Sequence, residues 1–268
     1  MEEAEYGPPW SSVARTLWCV GVTADGEVRL KGGKVGGAVR VGDTVRRPVG
    51  PWTPAVHALL EYLAPRIPHV PRVLGFDERG REVLTYLPGK VIDVDTESLT
   101  LAQIASVMEW TRAFHEAVAA FQHPGPWRYF PLQGTTMIGH NDIAPFNACF
   151  DGDNLAGVFD WDMAGPSTPL YELAFVAWTT VPLWGDIGAE AAAQRLTAIA
   201  NGYGAFDARQ ILSAVPGRIR AMFDGMPAAA AAGDQGVANL ITGGQERSYA
   251  KLAKLVARIP AIDRLLAG

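Results

Sequence analysis

Cysteine is nearly missing from this chain, and positive charge is in short supply. Cys19 and Cys149 are the only thiols in 268 residues, too few for a disulfide framework. Cys149 stands in the apolar run 146–150 and is expected to be a buried thiol. Lysine and arginine number 23 against 28 aspartates and glutamates, a net charge of −5. That balance argues against a nucleic-acid binder, which must neutralise several phosphates with basic residues. The longest apolar stretch, 175–184, is short, interrupted and preceded by Glu172, so no membrane span is expected. Met1-Glu2-Glu3-Ala4-Glu5 has neither the basic nor the apolar region of a secretory signal, and a reducing cytoplasm is the expected location. No Walker-type Gly-Lys-Ser/Thr step follows the glycine-rich segment 31–37, and no internal repeat is present.

What remains is ample core material. Hydrophobic residues make up 49% of the chain and charged ones only 19%, which excludes wholesale disorder. The length suits one large domain or two modest lobes. Short alternating runs at 28–30, 37–41 and 44–47, split by glycine-rich turns, predict antiparallel hairpins. Thr53 as a cap followed by Pro54 predicts a helix start, with Val56, Leu59, Leu60 and Leu63 on its buried face. Residues 72–76 and 82–87 form another expected hairpin. Pro88-Gly89 then marks a boundary between an N-lobe, 1–88, and a C-lobe, 89–268. Beyond it the period turns helical, starting from a capping box of Thr100 and Gln103. Two strands are expected at 146–150 and 155–159, and mostly helix after them, with the alanine run 228–232 read as helix or linker.

Chemistry concentrates in Ile138-Gly139-His140-Asn141-Asp142-Ile143-Ala144-Pro145-Phe146-Asn147. Thirteen residues after Asn147 comes Asp160, followed by Trp161 and Asp162. A hairpin between the two segments returns the chain to its start, so Asp160 is expected beside Asp142 and Asn147. Two carboxylates and an amide oxygen make an oxygen-rich cluster suited to Mg²⁺. Phosphoryl transfer needs such a cluster, together with a separate carboxylate to orient the acceptor hydroxyl. Singly, Asp142 and Asn147 are ordinary turn residues; jointly, at this spacing, they favour the kinase reading.

The His-x-Asp-x-x-x-x-Asn pattern and the Asp160-Trp161-Asp162 step resemble the catalytic and metal-binding loops of aminoglycoside phosphotransferases and of choline and related small-molecule kinases. Gly165-Pro166 and Leu170-Tyr171-Glu172-Leu173-Ala174 resemble the segment that follows. Protein kinases carry Asp-Phe-Gly at the second loop, and this chain does not. The resemblance implies an α+β, bilobal, protein kinase-like fold with a small antiparallel N-lobe and a mainly helical C-lobe. It implies a phosphotransferase moving the γ-phosphate of ATP or GTP, with Mg²⁺, to a hydroxyl of a small molecule such as an aminoglycoside antibiotic. Asp142 takes the place of the catalytic aspartate, and Asn147 and Asp160 those of the metal ligands. His140 is then structural, Glu172 an acceptor for backbone amides, and Asp162 an accessory acceptor. His115 matches a histidine of the family, though a satisfied core histidine is the preferred reading.

The N-lobe departs from the pattern. The phosphate-pairing cation falls to Arg46 or Arg47, and strand alternation turns only one to the cleft; Arg47 is preferred. No glutamate partner stands at the usual place on the following helix, where His57 is nearest and Glu61 lies one turn on. Gly32 and Gly33 are expected to approach phosphates, or to form a plain hairpin, and Tyr86-Leu87 to form the hinge meeting the base. A second reading follows from this departure: a non-catalytic nucleotide-binding or immunity protein on the same fold. The acceptor's identity, the choice of nucleotide and the oligomeric state are not legible in the sequence.

Overall fold

The computed structural model describes residues 26–30, 37–128, 132–242 and 245–267. Gly32, Gly33 and Cys19 lie outside them. Strands β1 (Val28–Arg29), β2 (Val39–Val41), β3 (Thr44–Arg47), β4 (Val73–Phe76) and β5 (Glu82–Thr85) form one antiparallel sheet in the order β1-β2-β3-β5-β4. The register of β3 with β5 sets Arg46 opposite Val83 and Arg47 opposite Glu82. Directly opposed residues share a face of the sheet, so Arg47 and Glu82 project together.

Helix α1 (Thr53–Leu63) interrupts the strands between β3 and β4. Ala55, Val56, Leu59, Leu60 and Leu63 are buried along one face, with His57 beside them. The helix begins one residue earlier than a Thr53 cap implies: Trp52 is the cap, and the Thr53 hydroxyl accepts from the Gly50 amide at 2.9 Å. Pro54, which needs no donor in the first turn, fits either start.

The rest of the chain is mainly helical, with two small sheets. Strand β8 (Ala148–Asp151) is flanked by β6 (Lys90–Val91) and β9 (Asn154–Val158), and β7 (Met137–Gly139) pairs with β10 (Gly165–Ser167). Helix α2 (Leu101–Val118) opens on the Thr100–Gln103 capping box, with both reciprocal bonds made. Helix α3 (Pro169–Thr180) is buried without interruption from Glu172 to Thr180, as a helix apolar on every side must be. It packs on α5 (Ala208–Ala231), while α2 packs on α4 (Ala189–Tyr203), and α5 is flanked by α6 (Gln235–Ile241) and α7 (Gln245–Leu266). Trp161, Trp178, Phe114 and Phe223 are the largest apolar side chains sealed in this core. The alanine run 228–232 is the end of α5.

One local difference bears on the site. The segment expected as a strand from Phe146 begins as a 3-10 turn, Pro145–Asn147, closed by the Asn147 amide on the Ala144 carbonyl at 2.9 Å. Pro145 has no amide for a ladder, and the turn frees the Asn147 side chain from strand alternation.

Candidate functional site

The catalytic-type loop leaves β7 at Gly139 and is gripped by Glu172, in the first turn of α3. The two carboxylate oxygens of Glu172 accept the amides of His140 at 2.9 Å and Asn141 at 2.7 Å. Burial works against this charge, but His115, then His140 and Arg218, outweigh it and hold the group below the usual range. Gly139 makes the approach feasible, since a Cβ there would lie 2.8 Å from the Glu172 carboxyl carbon. Asn141 adopts φ 63°, a left-handed conformation that asparagine tolerates, and its side chain donates to the Gly165 carbonyl at 3.1 Å.

His140 joins this loop to the second one. Its Nδ1 accepts the Asp142 amide at 3.2 Å, so Nε2 carries the proton and donates to the Phe159 carbonyl at 3.2 Å. The ring lies 4.5 Å from that of Trp161. Burial lowers its pKa against the pull of Glu172 and Asp160, in keeping with this neutral tautomer.

The Asn147 side chain, turned back by the 3-10 turn, donates to the Asp142 carboxylate at 2.7 Å and to its carbonyl at 3.0 Å. Burial, and then Asp160, raise the Asp142 pKa well above the ordinary range, while Asn147 opposes them. Asp160 lies two residues past the end of β9 and also sits in the left-handed region, φ 62°. Its side chain remains 43% exposed, so it faces the cleft.

Arg47 reaches across from the sheet to these carboxylates. Its guanidinium lies 3.1 Å from Asp160, 2.7 Å from Asp162 and 3.6 Å from Glu82. Burial disfavours its charge, but Asp162, Asp160 and Glu82 more than compensate and raise its pKa. Arg46, one residue earlier on the strand, is turned to Asp77 at 3.6 Å. Asp162 also receives Arg128 at 3.4 Å, and Arg128 is held by Asp234, the cap of α6, at 2.7 and 2.9 Å. Four carboxylates, those of Glu82, Asp160, Asp162 and Asp234, thus meet the guanidiniums of Arg47 and Arg128.

His57 is in this network but does not touch Arg47; its Nε2 meets the other oxygen of Glu82 at 2.8 Å. Glu61 is exposed and is not brought to the site. Tyr86 and Leu87 form the crossing from β5 to β6, pinned by the Tyr86 amide on the Asp43 carbonyl at 2.8 Å. Leu87 seats so closely on Gly157 that a Cβ there would come within 2.8 Å of it. His115 bonds the Tyr203 hydroxyl at 2.8 Å and lies 3.9 Å from Glu172. Sequence reasoning missed Glu82, Arg128 and Asp234. Pairing of β3 with the non-consecutive β5 is the only signal that would have found Glu82, and no local signal links Arg128 to Asp234, 106 residues away.

Residues 127–211 match the profile of the phosphotransferase enzyme family, a span that includes Asp142, Asn147, Asp160 and Glu172. Among curated proteins, a trifolitoxin immunity protein of Rhizobium leguminosarum bv. trifolii is 35% identical over 173 residues, 61% of this chain. The match spans 66% of that relative, just under two thirds of its length. Among solved structures, an amicoumacin kinase in complex with AMP-PNP, Ca²⁺ and Ami superposes with a TM-score of 0.56 at 14% identity, over 91% of this chain and 87% of the other. A choline/ethanolamine kinase family protein from Mesorhizobium loti gives 0.56 at 15%, over 90% and 91%. The GDP complex of aminoglycoside 2'-phosphotransferase-IIIa gives 0.53 at 16%, over 88% and 94%. The chain has the α+β, protein kinase-like fold of small-molecule kinases, and it resembles the phosphotransferase family across the segment that carries both loops.

Proposed function

We propose that this chain is a small-molecule phosphotransferase, moving the γ-phosphate of ATP or GTP to an acceptor hydroxyl. The observation that carries the reading is the Asp142–Asn147 pair, bonded at 2.7 Å, with Asp160 beside it and Arg47 arriving from the facing sheet. Asp142 orients the acceptor hydroxyl and takes its proton; its raised pKa brings the carboxylate nearer to neutrality, where a general base works best.

The donor chemistry fits Mg²⁺. The Asn147 amide nitrogen is committed to Asp142, which leaves its carbonyl oxygen for a hard cation, and Asp160 supplies an accessible carboxylate. Among the described residues no three His, Cys, Asp or Glu side chains group into a metal site. A nucleotide-borne Mg²⁺ needs no such group, since one or two protein oxygens suffice beside phosphates and water. Asn147 and Asp160 would hold it, and its contribution is to neutralise phosphate charge. Arg47 faces the same phosphates, Asp162 and Arg128 brace it, and the Tyr86-Leu87 crossing is the hinge to the base.

The kinase-like fold and the phosphotransferase profile support this reading. The relative named as an immunity protein supports an antibiotic or toxin as the acceptor, with resistance as the outcome. No helix among the described residues is long and apolar enough to cross a membrane. A second reading, a nucleotide-binding immunity protein without turnover, is favoured by the position of Arg47, whose charge is engaged by Asp160 itself. The deciding experiment incubates the chain with Mg²⁺ and either nucleotide against a panel of aminoglycosides, peptide antibiotics, choline and homoserine. Phosphate on one acceptor supports catalysis; binding without transfer or hydrolysis supports the second reading.

A further inference from the structure

We propose that Glu82, on β5, is the positioning carboxylate for Arg47, and that His57 links it to α1. The inference rests on the phosphotransfer reading and names a residue for the part that Glu61 does not reach. Glu82 is 3% exposed, and a buried carboxylate persists only when its oxygens are satisfied. Its two oxygens are divided. One lies 3.6 Å from the Nε of Arg47, and the other takes His57 at 2.8 Å. His57 is itself fixed, lying on the buried face of α1 with its ring 5.3 Å from that of Phe76.

The division of Arg47 explains why this matters. Its Nε side faces Glu82, while Nη2 faces Asp160 and Asp162. A guanidinium is a rigid planar fork, so holding one side fixes where the other points. Glu82 therefore restrains Arg47 against complete collapse onto Asp160, the carboxylate that the nucleotide-borne cation requires. The register of β3 and β5 builds the restraint into the sheet, because Arg47 and Glu82 are directly opposed. The helix acts on Arg47 at one remove, through His57.

The test measures Mg²⁺-dependent binding of ATP and GTP by calorimetry, together with steady-state kinetics, on folded wild type, Glu82→Gln and His57→Leu. Glu82→Gln is expected to raise the nucleotide KM and Kd about tenfold, because the amide removes one charge of the close Arg47–Glu82 ion pair, with kcat changed less than about threefold and the acceptor KM unmoved. His57→Leu is expected to give a smaller rise, about threefold, reversed by His57→Gln, which keeps a donor to Glu82. If wild type binds nucleotide and neither Glu82→Gln nor His57→Leu moves KM or Kd beyond about twofold, Glu82 has no positioning role and only this inference falls. A variant that loses thermal stability and leaves both constants unchanged shows a structural role and overturns it equally. If wild type binds no nucleotide, the phosphotransfer reading falls and this inference with it. Where Glu82→Gln does not fold, the His57 pair decides alone.

Discussion

Asn147 donates its side-chain amide to the Asp142 carboxylate at 2.7 Å, although the two stand at opposite ends of a loop. That bond orients the carboxylate of Asp142, and it commits the side-chain nitrogen of Asn147.

Asp142→Asn is expected to keep nucleotide affinity and to lose turnover by about 10²–10⁴, the contribution of a positioned base. The variant also removes a buried charge that burial and Asp160 both disfavour, so its melting temperature should equal or exceed that of wild type. Melting curves and single-preparation kinetics check both halves. Turnover within a few-fold of wild type would show that Asp142 is not the base.

Asp160→Ala is expected to lose most of the Mg²⁺-dependent gain in nucleotide affinity, a change of about tenfold or more. Its backbone is left-handed and its carboxylate pairs with the Arg47 guanidinium, so a stability loss of about 1–2 kcal/mol is expected beside the loss of affinity. Calorimetry with and without Mg²⁺ separates metal-assisted from metal-free binding. Equal affinities for the two proteins in Mg²⁺ would remove Asp160 from the metal shell.

Glu172→Gln leaves the amides of His140 and Asn141 competing for one acceptor. The expected loss is about 1–3 kcal/mol for one buried donor left unsatisfied, with turnover reduced because the loop is no longer gripped. The pH dependence has a defined sign. The folded-state pKa of Glu172 is depressed, so its stabilisation is full above the unfolded value of about 4.3 and is lost as pH falls through the lower folded value. Wild type should therefore lose stability below about pH 4, whereas Glu172→Gln should start lower and show a flatter acid limb. Parallel acid limbs in the two proteins would contradict the assignment.

Gly139→Ala introduces a Cβ 2.8 Å from both the Glu172 carboxyl carbon and the Ser167 Cβ. Overpacking of this kind costs about 1–3 kcal/mol. The displaced carboxylate should also weaken the Asn141 amide bond, so amide hydrogen exchange at 140–142 is expected to quicken along with the fall in melting temperature. Unchanged exchange with intact stability would mean that the loop is held by something other than Glu172.

Patterns short in sequence were legible without coordinates. The Thr100–Gln103 capping box, the hairpin that carries Asn147 toward Asp160, and the buried face of α1 each depend on residues a few positions apart, and local physics fixes them. The His140-to-Asn147 spacing likewise marked the loop, because its chemistry is written in consecutive residues. Tertiary structure decided the remainder. Arg47 meets Glu82 only because β3 pairs with a strand from the far side of α1, and Arg128 meets Asp234 only when the helices after α5 fold back over the cleft. A buried charge must find its counter-charge wherever the packed chain brings one, and sequence distance carries no record of that place. Helix α1 carries His57 and the exposed Glu61 where a partner for Arg47 was sought, and only the folded sheet shows Glu82 beside that guanidinium.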